Sequence, residues 1–221
     1  MTSTIKFFYD KVDKAKKHFP DLNIKYKDES MLMFFMSKVL FFNKDFNSYT
    51  TTIGSTVYFP SNIYVDNSPT RSTTLLMHEL YHIYSSKKKG KFYFSLLYLF
   101  PQILALLSVP VFFLFGLIKS LFCLLFLLPF PSYTRMIEER NAYIISLYTI
   151  NKYNSNYTDF DILDNQKKYL VENFLNSSYY WMWPSKKIIK YFDDIVIKIK
   201  NNEKPVCDAD FYVIVDDILI P

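Results

Sequence analysis

A chain of 221 residues that is half hydrophobic can bury a substantial core, but its three glycines are too few for a phosphate-cradling loop, and neither GxGxxG nor GxxxxGKS/T occurs. Its formal charge of +5 is spread along the sequence without the clustered arginine and aromatic pattern of a nucleic-acid groove, so neither nucleotide chemistry nor a nucleic-acid partner is expected. Two cysteines, Cys123 in a very apolar run and Cys207 in a polar one, make no disulfide framework and lack metal-ligand spacing, which reads them as inert thiols.

Residues 5 to 18 read as an amphipathic helix, with Ile5, Phe8, Val12 and Ala15 at helical spacing, ending before Pro20. The first 30 residues are charged and hold no apolar core of the kind a secretory signal needs, so export is not expected. A second helix is predicted from about Asp28 or Ser30 through Leu40. Its apolar run is too short to cross a membrane, and it reads as a buried core helix. From Tyr49 to Val65 the composition turns to Thr, Ile, Val, Tyr and Phe, which predicts strands at 50–53 and 56–59 and an extended segment at 63–65.

Ser68-Pro69 then opens a helix predicted over 69–85, with Ser68 as cap and Pro69 at the first helical position. On it lies His78-Glu79-Leu80-Tyr81-His82, an HExxH pattern that arises by chance in roughly one chain in a thousand of this composition. Residues four apart share a helix face, so both imidazoles can reach one metal ion while Glu79 addresses the water beside it. Leu76, Leu80 and Ile83 form a separate stripe that faces the core.

Residues 92 to 131 are almost wholly apolar, with Lys119 the only charge and Pro101, Pro110 and Pro129 as interruptions. One straight helix of that length would run about 60 Å, twice the hydrocarbon thickness of a bilayer. Two passes of about 17 to 19 residues joined near 108–111, or a re-entrant loop, fit better. Lys119 is expected to snorkel. A helix restarts over 133–150, followed by a polar loop at 151–159, a helix at 161–176, an aromatic patch at Trp181 to Trp183, a helix at 185–200 and an apolar tail.

Two histidines leave a catalytic zinc site one protein ligand short. His18 lies far upstream and is the less apt third ligand. Glu139-Arg140-Asn141-Ala142 matches ExxA, in which a helix presents the glutamate and a small residue lets two helices approach. Glu138 competes, but one residue's shift turns a side chain by about 100°, so only one of the pair can face the metal. Ala142, one turn on from Glu139, favours Glu139.

HExxH, a hydrophobic hairpin and then ExxA, over residues 69 to 150, resembles the membrane-associated glutamate zincins of the HtpX and CAAX-prenyl-protease type. Tyr143 stands where that family generally has an aspartate, which implies a small, divergent relative. The resemblance implies a mainly α fold with a small β element: a zincin-like metallopeptidase domain with an inserted hydrophobic helical hairpin. Residues 1–91 would carry the HExxH helix, 92–131 the hairpin and 132–221 the third-ligand helix. It further implies Zn²⁺ held by His78, His82 and Glu139, with Glu79 as general base and then acid in peptide-bond hydrolysis. Tyr143, Tyr81 and Arg140 are chemically able to steady an oxyanion, and spacing does not choose among them.

His82 and Glu139 must meet at one metal, so the chain between them must return to the side of the bilayer it left. The basic run Lys87-Lys88-Lys89-Gly90-Lys91 places that side in the cytoplasm and suits anionic lipid. The expected partners are a peptide or protein substrate and membrane lipid. The main alternative is a catalytically inactive, zincin-like, membrane-anchored interaction protein.

Overall fold

The computed structural model describes residues 3–39, 45–128, 130, 132–154, 161–175, 185–205 and 207–220. The chain is mainly helical with one three-stranded sheet. Helix α1 (Ser3–His18) buries Phe8, Val12 and Ala15 and leaves most of its lysines outside. Strand β1 (Asn23–Tyr26), too short and too weakly alternating to stand out in the sequence, pairs parallel with β3 (Thr56–Phe59). Strand β2 (Thr51–Ile53) pairs antiparallel with β3, and Gly54, at φ +62°, forms the tight turn between them. The strand order β1-β3-β2 leaves β2 at an edge.

Two expectations fail in this region. Helix α2 (Met31–Val39) is not a buried core helix, because Met31 is 87% exposed, Phe34 63% and Phe35 65%. Only Met33 is buried, against Phe46 and Tyr58. A helix apolar on every side but resting on one small layer can cover only one of its faces. Residues 63–65 are not extended but lie in helix α3 (Asn62–Asn67), where the Ser61 hydroxyl accepts from Tyr64 N at 3.1 Å. That cap outweighs the strand preference of Ile63, Tyr64 and Val65.

Helix α4 (Pro69–Lys89) runs through the core and buries Leu76, Leu80 and Ile83. Pro69 holds the first position as expected, although Ser68 makes no side-chain cap bond. Gly90, at φ +90°, ends the helix in a conformation that other residues rarely adopt. Helix α8 (Tyr133–Asn154) packs along α4, and Ala142, fully buried, permits the close approach. Helices α9 (Asp161–Leu175) and α10 (Ser185–Lys200) cover α8, with bounds close to those predicted.

The apolar tail is a helix, α11 (Ala209–Leu219), capped by Asp208 and burying Phe211, Tyr212, Val215 and Ile218. Buried Lys11 donates to Leu219 O at 3.0 Å and Ile220 O at 2.9 Å, closing two terminal carbonyls of that helix. One hydrophobic cluster joins α1, α4, α8, α9, α10 and α11. The Trp181 to Trp183 patch lies outside the described residues.

Between α4 and α8 stands an apolar arm. It comprises α5 (Lys91–Leu99), a 3-10 turn at Gln102–Leu107, α6 (Ser108–Phe115), α7 (Leu117–Leu124) and a second 3-10 turn at Leu125–Leu127. Helices α6 and α7 pack on each other, as do the two 3-10 turns, so the segment is a hairpin. Its reversal lies at Gly116, φ +83°, and not at 108–111, where Ser108 instead starts a helix.

No single described helix is long and apolar enough to cross a membrane. Lys91–Leu99 and Gln102–Phe115 reach that length only together, bent by 92°. Lys119 is exposed, its ammonium 5.2 Å from the Phe115 ring centroid. Cys123 and Cys207 are both free, and burial pushes the Cys207 thiol up to about 12.

Candidate metal centre

The α4–α8 contact brings His78, His82 and Glu139 together, each offering one ligand atom, in a group that could hold a metal ion. His78 Nε2 lies 3.3 Å from His82 Nε2 and 3.3 Å from Glu139 Oε2, and His82 Nε2 lies 3.4 Å from Glu139 Oε1. Ligands about 2.0–2.1 Å from a metal at the centre of a tetrahedron stand about 3.3–3.4 Å from one another. The pairwise separations are of that size, with different carboxylate oxygens making the two to Glu139, Oε2 toward His78 and Oε1 toward His82. Their side-chain exposures are only 8% for His78 and 10% for His82 and Glu139, so most water is excluded.

Of the two imidazoles, His78 is held from behind by a hydrogen bond, whereas His82 Nδ1 is buried without one. Ser146 Oγ donates to Ala142 O at 3.2 Å and so accepts from His78 Nδ1 at 3.3 Å. A neutral His78 that donates to Ser146 from Nδ1 would turn its Nε2 lone pair toward the group, the form in which it could take a metal. Ser146 lies seven residues after Glu139, two turns along the same face of α8, a spacing legible in the sequence. Tyr143 packs its ring 4.7 Å from that of His78, while Tyr81 and Tyr98 set their rings 6.2 and 5.8 Å from that of His82.

Charge is concentrated here. Burial pulls the His82 imidazole down, but the Glu139 carboxylate more than offsets it through its charge and hydrogen bond, lifting His82 to about 9. Burial raises Glu139 in turn, and the two histidines outweigh it, holding the carboxyl well below its usual range. A carboxylate in so dry a place needs a cation beside it.

The comparisons with known proteins find nothing. No family model, no curated protein and no solved structure matches the chain. The case for a site rests on the residues themselves.

Glu79 is 8% exposed, and Thr52 Oγ1 of β2 donates to its Oε2 at 2.7 Å. The carboxylate of the HExxH helix is thereby fastened to the edge strand. Glu138 is buried too, but Lys89 engages it. The adjacent glutamates thus serve different partners, as their rotation on α8 requires. His18 pairs with Asp217 at 2.7 Å where α1 meets α11 and is not part of the metal-binding group.

The other candidates divide. Tyr81 OH accepts from Asn141 Nδ2 at 3.0 Å, beside a recess of about 250 Å³ lined also by Tyr84, Lys88, Cys207 and Asp208, which includes none of the three clustered residues. Arg140 donates to the Asn141 side chain at 3.2 Å and lies 4.7 Å over the Tyr191 ring, toward α10. Of the three proposed oxyanion stabilisers, Tyr143 alone packs against a clustered imidazole with a short ring-to-ring distance.

The basic run is also bound internally. Lys87 pairs with Asp21, Lys88 with Asp208 at 2.6 Å, Lys89 with Glu138 and Lys91 with Asp21 at 3.5 Å. These lysines tie the end of α4 to three parts of the fold, which the sequence spacing did not reveal. Thr52 and Tyr98 were missed for the same reason. They approach the centre from distant segments, and no local pattern marks them.

Proposed function

We propose that the chain is a zinc-dependent endopeptidase of the glutamate-zincin type that works at a membrane surface. The convergence of one ligand atom each from His78, His82 and Glu139, all within 4.8 Å of one another, with Glu79 next to His78 on the same helix, carries this reading. The donor set of two imidazoles and one carboxylate is that of a catalytic zinc site, which keeps a fourth position for water or substrate. Zinc held there acidifies water and polarises a scissile carbonyl.

Glu79 takes the proton of the attacking water and passes it to the leaving amine. The Thr52 hydroxyl holds Oε2 of that carboxylate, which keeps the group oriented and assigns the proton to Oε1. Strand β2 lies at the sheet edge, so an extended peptide can add to it as a further strand beside Glu79. The exposed apolar arm supports placement at lipid. The basic run Lys87–Lys91 supports a cytoplasmic site.

A second reading, a metal-bearing interaction protein without turnover, is favoured by one observation. Tyr98, from the arm, donates to Glu139 Oε1, the oxygen that also faces His82, and so competes there with an incoming ligand. Metal analysis and cleavage of an unfolded protein such as casein separate the two. The wild type should hold one zinc per chain and cleave. Glu79→Gln should keep the zinc and lose activity by at least about 10²–10⁴-fold. Undiminished cleavage by Glu79→Gln would sink the peptidase reading, and zinc without cleavage in the wild type would select the second.

A further inference from the structure

Resting on the metal-centre reading, we propose that Tyr98 is a positioning residue of that centre, supplied by the apolar arm, and that its hydroxyl sets the Glu139 carboxylate for metal binding. Tyr98 donates to Glu139 Oε1. With that oxygen engaged, the carboxylate plane is fixed and Oε2 stands 3.3 Å from His78 Nε2. A ligand carboxylate held by a hydrogen bond in this way loses less freedom on binding metal.

A buried phenol seeks any acceptor, so the contact alone does not define a role. The contacts that place Tyr98 do. Its ring stacks on that of Phe94, centroids 5.5 Å apart and planes 18° from parallel. The Arg135 guanidinium lies 5.3 Å from the ring centroid, while Arg135 Nε donates to the Tyr98 carbonyl at 3.2 Å.

Arg135 also donates to Gln102 Oε1 at 2.9 Å, and Gln102 Nε2 donates to Phe130 O at 3.0 Å. A polar strap thus ties both roots of the arm to α8, four residues before Glu139. Tyr98 is held by groups other than Glu139 and then presented to it.

The test is zinc affinity, measured by competition with a chromogenic chelator, on the full chain. Tyr98→Phe keeps the ring and its stack but removes the hydroxyl. It should bind zinc about ten- to a hundred-fold more weakly. Arg135→Gln leaves the hydroxyl but loosens the strap, and should weaken zinc in the same direction by less. With Co²⁺ in place of zinc, the visible spectrum of Tyr98→Phe should differ from wild type, a change that a remote loss of stability would not produce. Wild-type affinity and an unaltered cobalt spectrum in Tyr98→Phe would overturn the proposal while leaving the metal centre intact. No zinc binding by the wild type would overturn both.

Discussion

The α4–α8 pair and the apolar arm invert the usual distribution of residues in opposite senses. Along α4 and α8, groups that ordinarily seek water are inside: Thr73, Glu138 and Thr149 are fully buried, and His78, Glu79, His82 and Glu139 are at most 8% exposed. Along the arm, groups that ordinarily form a core are outside: Phe113 is 79% exposed, Ile118 75% and Leu114 73%. Each inversion is costly in isolation. What distinguishes them is where compensation comes from. The helix pair supplies much of its own, through Ser146, Thr52, Tyr98 and Lys89, and a cation at the His78, His82 and Glu139 group could supply more. The arm has few internal partners for its apolar surface among the described residues. On the proposed reading, buried polarity would carry chemistry and exposed apolarity placement.

If that contrast is right, the strongest way to break it is to remove the carboxylate that the cation balances. Zinc at a hundred times its dissociation constant should stabilise the wild type by about 2.7 kcal/mol, a rise in melting temperature of roughly 5–10 °C for a chain of this size. Glu139→Ala should lose that rise altogether. Calorimetry or a thermal shift with and without zinc reads it directly. An equal zinc-dependent rise in the variant would mean that the metal sits elsewhere.

The arm offers the converse experiment. Phe113 and Ile118 are among its most exposed side chains and flank the reversal at Gly116. Burying each in lipid is worth about 1.5–3 kcal/mol, so Phe113→Ser with Ile118→Ser should lower partitioning into phosphatidylcholine–phosphatidylglycerol vesicles by roughly 10²-fold or more. Zinc content should stay unchanged, because neither residue reaches the metal group. Sedimentation with vesicles checks the first expectation and metal analysis the second. Wild-type partitioning by the double variant would remove the arm from membrane placement, and a loss of zinc would deny that the two regions are separable.

How much of this contrast the sequence carries depends on the range of the interactions involved. HExxH, Ser68-Pro69 and the periodicity of α10 act within a turn or two, and all are legible. Glu139 could be chosen over Glu138 because Ala142 reports a close helix contact, and Ala142 is fully buried. The α3 helix escaped because one Ser61 hydrogen bond outweighs three strand-forming residues. The exposure of α2 escaped because hydrophobicity states what a face would gain by burial, not whether another layer exists to bury it. Tyr98, Thr52 and the partners of the lysine run lie 27 to 120 positions from the groups they meet, where no periodicity reaches. The three clustered residues were therefore readable, and their hydrogen-bond partners mostly were not.

The smallest expected effect concerns pH, and it sharpens the claim that the buried region is charge-balanced. In the metal-free protein burial lowers the His82 pKa, and Glu139 more than restores it, to about 9. Metal takes the neutral imidazole, so at pH 7 a proton must leave His82 before zinc binds. Apparent zinc affinity should then rise about tenfold per pH unit and flatten only above about 9, whereas an ordinary histidine would flatten near 6.5. The linkage for the metal-free fold has the opposite slope. A folded-state pKa raised above the unfolded value gives stability that is complete below about 6.5 and is lost as pH climbs through about 9. Zinc titrations in a chelator-buffered series from pH 6 to 9.5, run beside thermal unfolding of the metal-free protein, should show affinity and metal-free stability moving in opposite directions. A plateau in affinity already at pH 7 would mean that Glu139 does not hold a proton on His82, and that the dry pocket is balanced by some other group.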